Sequence, residues 1–143
     1  MFDPGINALS ILTEVLPERV RVIDARLEFP ANRQAPIAAA VEMETASGIP
    51  IHMDLDWRQT GPQTWQIVFE AEDDRHVFAQ GGDDASMAEG NTDSSVAEEY
   101  RAMYKRFVNL ARTGRIDVDL APLQLVADAF LRGDREATEP FEE

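Results

Sequence analysis

The stretch that decides the fold is residues 37–57, IAAAVEMETASGIPIHMDLDW. Ile37, Ala39, Val41, Met43 and Thr45 alternate with Glu42 and Glu44, and Ile51, Met53, Leu55 and Trp57 alternate with His52, Asp54, Asp56 and Arg58. Successive strand side chains point to opposite faces, so each run reads as a strand with one apolar and one polar face. Ser47-Gly48-Ile49-Pro50 lies between them and reads as a turn. Two half-buried strands joined this closely pair antiparallel, because a parallel pair needs a long crossover.

The same alternation continues on both sides. Ile23, Ala25, Leu27 and Phe29 alternate with Asp24, Arg26 and Glu28, which predicts a strand over 20–29. Trp65, Ile67, Phe69 and Ala71 predict another, and Asp73-Asp74 turns into a weaker one at His76–Ala79. A short further strand near 85–88 is weaker still. Helical spacing brackets the strands. Asp3 reads as an N-cap before Pro4, and Ile6, Leu9, Leu12 and Leu16 follow, with Asp3, Asn7, Ser10 and Glu14 on the opposite stripe. Ser95 and Glu98 form a capping box ahead of Val96, Tyr100, Met103, Phe107 and Leu110, a stripe that belongs to a core or an interface. Asp119 starts a last helix with Leu123, Val126, Ala127 and Phe130 inward, and Gly133 stops it before a charged tail. The expectation is α+β: an open, mainly antiparallel sheet of five to six strands in one domain over 1–143. One N-terminal and two C-terminal helices pack on one face.

Composition narrows the function. Thirteen Lys and Arg stand against 27 Asp and Glu, a net charge of −14, so there is no basic face for nucleic acid or an anionic membrane. No apolar run reaches the ~18–20 residues of a membrane span, and residues 1–4 lack a signal peptide's basic and apolar regions. The absence of cysteine removes disulfides and thiolate metal sites and suits a cytoplasmic protein. Neither a dinucleotide fingerprint, a P-loop, an H-E-x-x-H nor a nucleophile elbow is present. His52, Asp54 and Asp56 share a strand face as ligands could, but this pattern is that of a solvated face, and no metal is expected. His76, beside Asp73 and Asp74, reads as a surface residue.

Two constellations can carry chemistry. Trp57 and Trp65 flank a turn rich in Arg58, Gln59, Thr60 and Gln63; either they are sheet-face core, or their rings stack on a sugar whose hydroxyls meet these donors and acceptors. Asp3 and Asn7 lie one helical turn apart; either they are a cap and an exposed amide, or they accept from and donate to a substrate hydroxyl.

The opening FDPGINALSI (2–11) resembles the substrate-domain motif of the glucose–fructose oxidoreductase/inositol dehydrogenase family, most of all its D-galactose and L-arabinose 1-dehydrogenase subgroup. The segments PANRQAPI (30–37), DWRQTGPQTW (56–65) and VADAFL (126–131), and Pro140-Phe141, resemble the same enzymes. The resemblance implies that this chain is the C-terminal substrate-binding and oligomerisation domain of a longer dehydrogenase. Its N-terminal Rossmann domain, with the site for NAD or NADP, would be absent here, which agrees with a helix that begins abruptly at residue 3. The implied reaction oxidises C1 of an aldose to a lactone. In the wider family the motif is Asp-x-Gly-x-His. Here Asp3-Pro4-Gly5-Ile6-Asn7 carries Asn, as the sugar 1-dehydrogenases do, so residue 7 orients the anomeric hydroxyl and cannot titrate as a base. Asp3 and Asn7 are then the catalytic pair, with Trp57, Arg58 and Trp65 as sugar contacts and a homo-oligomer formed through the sheet face. The fragment alone would be inactive. The other readings are a stand-alone α+β module for a small ligand and a structural dimerisation domain.

Overall fold

The computed structural model describes residues 2–61, 65–70, 75–80 and 92–142. In chain order the elements are α1 (Phe2–Val15), β1 (Val20–Pro30), β2 (Ala38–Thr45), β3 (Pro50–Asp56), β4 (Trp65–Glu70), β5 (Arg75–Gln80), α2 (Thr92–Thr113), α3 (Ala121–Arg132) and β6 (Asp134–Thr138). The chain divides into two compact units, Met1–Gln59 with Asp119–Glu143, and Thr60–Val118. The α+β class stands. The expected sheet of five to six strands is distributed differently, as four strands in the order β3-β2-β1-β6 and a separate β4-β5 ladder.

In the first unit the alternation of 37–57 does what its pattern requires. β2 and β3 pair antiparallel with Val41 opposite Met53, and β1 pairs antiparallel with β2 with Ala25 opposite Val41. Leu27, Val41 and Met43 are buried beneath Leu9 and Leu12 of α1 and Leu125 and Ala129 of α3. Glu42, His52 and Asp54 face the opposite, outer side and are exposed. The turn between β2 and β3 is locked from outside: the Ser47 backbone N–H and hydroxyl donate to the Glu18 carboxylate at 2.7 and 3.0 Å, and Gly48 takes the left-handed φ of +89° that the turn needs.

Three expectations need correction. Ile23 is 45% exposed and Val22 is buried, because a bulge between Val22 and Asp24 adds one residue to β1 and shifts the phase of its alternation. The tail is more than a charged end: residues 134–138 form β6, parallel to β1, with Leu27 opposite Arg135. Its side chains are almost all exposed, so it carries no period-two apolar signal; main-chain pairing with β1 holds it, together with the Arg135 guanidinium, which lies 4.6 Å over the Phe29 ring. Finally, the inward face of α3 is shifted: Leu125 and Ala129 are buried and Val126 and Phe130 are half-buried against the core as expected, whereas Leu123 and Ala127 are exposed.

α3 stops at Gly133 as expected, but at its start the capping position is Leu120 and Asp119 acts from one residue earlier. The Ala121 N–H donates to Asp119 Oδ1 at 2.9 Å, Pro122 sits in the first turn, and Gly133 closes the end by donating to Ala129 O at 2.9 Å. In the second unit, β4 pairs antiparallel with β5, Trp65 opposite Gln80 and Glu70 opposite Arg75. α2 starts at Thr92, three residues before the expected Ser95 cap, and ends at Gly114 (φ +60°) with Arg115 N–H bonded back to Leu110 O, a Schellman closure. The side chains of the Ser95–Glu98 capping box lie outside the described residues. Along its expected apolar stripe Tyr100, Met103 and Phe107 are more than half exposed, so the core reading of that stripe does not hold for them. The weak strand expected near 85–88 also lies outside the described residues. No helix among the described residues is long and apolar enough to cross a membrane.

Candidate functional site

The motif helix begins at Phe2, so Asp3 lies inside its first turn rather than at an N-cap, and Pro4 costs nothing there because first-turn N–H groups have no intrahelical acceptor. Asn7 follows four residues after Asp3, on the same helical face, and is exposed. The Asp3 side chain lies outside the described residues. Gly5, between them, is buried, and a β-carbon on it would come within 2.9 Å of Leu55 Cδ1 on β3. This close approach brings the N-terminal turn of α1 down onto the end of β3.

That end of β3 leads directly into Trp57. Its backbone N–H donates to Ile37 O at 3.0 Å, and its ring is 54% exposed. Trp65 opens β4 in the second unit and is 42% exposed. The core reading therefore fails for both rings. Trp57 shares its unit with Asn7 and Gly5, whereas Trp65 belongs to the other unit.

Arg58 is occupied by carboxylates. Its Nε and Nη2 donate to the two oxygens of Asp56, each at 2.9 Å, its backbone N–H donates to Asp56 Oδ1 at 2.8 Å, and Nη1 lies 2.8 Å from Glu28 Oε2. Glu28, Ala38 and Asp56 are in register across β1, β2 and β3, so the guanidinium bridges the outer face of the sheet. Its hydrogen bonds to Asp56, more than any other influence, raise the Arg58 pKa and hold the Asp56 carboxyl below its usual range. In this arrangement Arg58 fixes the residue that follows β3 and precedes the exposed turn.

His52 lies on the same outer face. Nδ1 is 2.5 Å from Glu42 Oε1 and Nε2 is 2.6 Å from Asp54 Oδ2, and these two hydrogen bonds raise its pKa, Asp54 contributing most. With both ring nitrogens engaged by carboxylates, neither is presented to a metal, and no group of three or more His, Asp or Glu that could hold one occurs among the described residues. The side chain of His76 lies outside the described residues.

A cavity of about 300 Å³ lies between α1, α3 and the inner face of the sheet. Gly5, Leu27, Ala35, Met53, Leu55 and Phe130 are among its lining residues. It is apolar, and a pyranose placed in it would leave its hydroxyls without partners at a cost of ~1–3 kcal/mol each. Asn7 and Trp57, by contrast, are exposed outside it. The N-terminal turn of α1 carries a carboxylate, Asp3, and a residue with no N–H, Pro4, both unsuited to a pyrophosphate.

Two contacts at this end escaped the sequence reading. Gly5 on Leu55 is one. The other joins Asn32, in the loop after β1, to Phe141 near the end of the chain. Nothing in the spacing of either pair announces it, because their partners are distant in sequence.

Comparison with known proteins gives this geometry a context. Over 143 residues, 99% of the chain, it is 37% identical to a galactose 1-dehydrogenase of Pseudomonas fluorescens, of which it covers 46%. Along almost its entire length, this chain is similar to galactose 1-dehydrogenase. The crystal structure of a D-galactose-1-dehydrogenase protein from Rhizobium etli matches 99% of the chain with a TM-score of 0.83 and 45% identity, and the chain covers 45% of it. The chain thus spans a little under half the length of these galactose 1-dehydrogenases. No family model matches it. The resemblance read from the sequence to the sugar 1-dehydrogenases is borne out.

Proposed function

We propose that this chain is the substrate-binding domain of an NAD(P)-dependent dehydrogenase that oxidises C1 of an aldose of the galactose or arabinose type to a lactone. The observation that carries the reading is the near-complete match to two galactose 1-dehydrogenases at 37% and 45% identity, each covered by a little under half. NAD or NADP, bound outside this chain, supplies the hydride acceptor. The chain's own residues bind the sugar, orient C1 and handle one proton.

Asn7, exposed on α1, donates to and accepts from the anomeric hydroxyl and holds it in one orientation. Asp3, one turn earlier, accepts the hydroxyl proton as C1 is oxidised. Trp57 stacks its exposed ring on the apolar face of the sugar. Arg58, fixed by Asp56 and Glu28, sets the backbone beside Trp57 and borders the sugar from there. The fragment alone is inactive on this reading. The complete enzyme is cytoplasmic and self-associates through the outer face of the sheet. The apolar cavity favours a second reading, a module that holds a small apolar ligand by itself.

The test is to express the complete enzyme that contains this chain and measure NADH and NADPH formation with D-galactose, L-arabinose, D-xylose and D-glucose, with the 143-residue chain alone as a control. Turnover of one of these sugars by the complete enzyme only is the expected result. No turnover with any sugar and either cofactor would remove the substrate assignment.

A further inference from the structure

The loop of residues 31–36 leaves β1 and returns as β2, and main-chain hydrogen bonds hold it at both feet. Ala31 N–H donates to Thr138 O at 3.0 Å, one step beyond the β1–β6 ladder, and Ile37 N–H donates to Glu28 O at 2.8 Å. Between these feet Arg33, Gln34 and Ala35 are exposed, and Arg33 N–H makes only a local turn to Pro30 O. Next to the first foot, the Asn32 side chain ties the loop to a distant part of the chain. Its Nδ2 donates to Phe141 O at 3.0 Å, its Oδ1 accepts from Phe141 N–H at 2.9 Å, and Nδ2 also lies 3.1 Å from Glu142 Oε1. An amide presents a donor and an acceptor side by side as a peptide group does, so Asn32 pairs with the main chain of Phe141 as one strand residue pairs with another.

The position of this loop gives the contact its meaning. Ala35 and Pro36 line the same cavity as Gly5 and Leu55, so the loop stands beside the first turn of α1. At the loop's exit, Ile37 O accepts from the Trp57 N–H. The loop therefore joins the helix turn that carries Asp3 and Asn7 to the tryptophan at the end of β3.

We propose that Asn32 is a positioning residue for the sugar site: through it, the last residues of the chain hold the 31–36 loop in place between the N-terminal turn of α1 and Trp57. The inference rests on the sugar-binding reading of that edge. Asn32 is exposed, so its hydrogen bonds contribute little to global stability. Their effect is local. A loop that is already fixed does not have to be ordered when the sugar arrives, whereas a released loop charges that ordering to binding. The proton acceptor Asp3 and the orienting Asn7 sit on a helix and are untouched by the release. Loss of Asn32 therefore weakens sugar binding and leaves the chemical step alone.

The experiment uses the complete enzyme and compares Asn32→Ala, Asn32→Asp and a truncation after Glu139. Each is expected to raise the KM for D-galactose about three- to tenfold, with kcat within about twofold of the parent. Asn32→Asp belongs with the losses because a carboxylate has no donor for Phe141 O and faces Glu142. Asn32→Ala combined with the truncation should be no worse than either change alone, since both remove one contact. Hydrogen exchange supplies a readout that needs no activity: amides of residues 33–36 exchange faster in Asn32→Ala. Unchanged KM or unchanged exchange overturns the proposal, as does a fall in kcat that tracks a lowered melting temperature. Asp3→Asn, assayed in parallel, separates the two ideas. Full turnover in that variant removes Asp3 from the mechanism whatever Asn32 does.

Discussion

Gly133 is packed so closely on Ala25 that a β-carbon at position 133 would lie 2.9 Å from the Ala25 β-carbon. The same atom would lie 2.5 Å from Ala129 O and 3.1 Å from Ala25 O, both backbone atoms that cannot rotate away. The close approach lets the chain leave α3 and enter β6 beside β1. Gly133→Ala is therefore expected to destabilise the protein by about 1–3 kcal/mol through overpacking. Gly61→Ala meets nothing within 4 Å and strains only a φ of +93°, so it should cost about 1 kcal/mol. Urea unfolding of the two variants checks the order.

His52 predicts a pH dependence with a defined sign. Its folded-state pKa is raised above the ordinary 6.5 by hydrogen bonds to Asp54 and Glu42. The stability this contributes is fully present below pH 6.5 and is lost as the pH rises through the folded-state value. The three side chains are more than half exposed, so solvent screening keeps the effect small. His52→Gln should accordingly lower the melting temperature most on the acidic side, and the gap should close as the pH rises through the folded-state value, in low salt more visibly than in high salt.

Asp3 and Asn7 are expected to differ in what their loss does. In the complete enzyme Asp3→Asn removes the proton acceptor and should lower kcat by about 10²–10⁴-fold. Asn7→Ala removes an orienting contact and should reduce kcat/KM without abolishing turnover. Steady-state kinetics with D-galactose distinguish the two patterns.

Trp57 separates binding from stability. It is 54% exposed, and the main-chain hydrogen bond from its N–H to Ile37 O survives truncation of the side chain. Trp57→Ala should leave the melting temperature nearly unchanged and raise the KM for the sugar about two- to tenfold, the range of a lost stacking contact. Unaltered KM would remove Trp57 from the sugar site.

The parts legible in the sequence are those where side-chain period and burial agree. β2 and β3 carry strict alternation, and the structure pairs Val41 with Met53 as that alternation requires. In α1 the buried Leu9 and Leu12 and the exposed Asn7, Ser10 and Glu14 fall on the expected stripes. Where a backbone event intervenes, the pattern misleads. The bulge at Ile23 inverts the phase of β1, and no residue type there signals it. β6 is held by main-chain pairing and shows no apolar period. At the candidate site, residue types left Asp3, Asn7 and Trp57 open between a structural and a functional reading, and only the resemblance to the sugar 1-dehydrogenases assigned them roles. The Gly5–Leu55 approach and the Asn32–Phe141 pairing depend on residues 50 and 109 positions apart, a range that local patterns do not reach.

The first unit is made from both ends of the sequence, with residues 60–118 placed between them. Among the described strands β1 comes first in the sequence and β6, its parallel neighbour, comes last. Until residues 134–138 leave the ribosome, one side of β1 is an unpaired edge, open to another chain with the same strand exposed. The nascent protein thus passes through an interval in which its central strand is complete but unguarded. The charged side chains of Arg21, Asp24, Arg26 and Glu28 along β1 hinder pairing with a stranger during that interval.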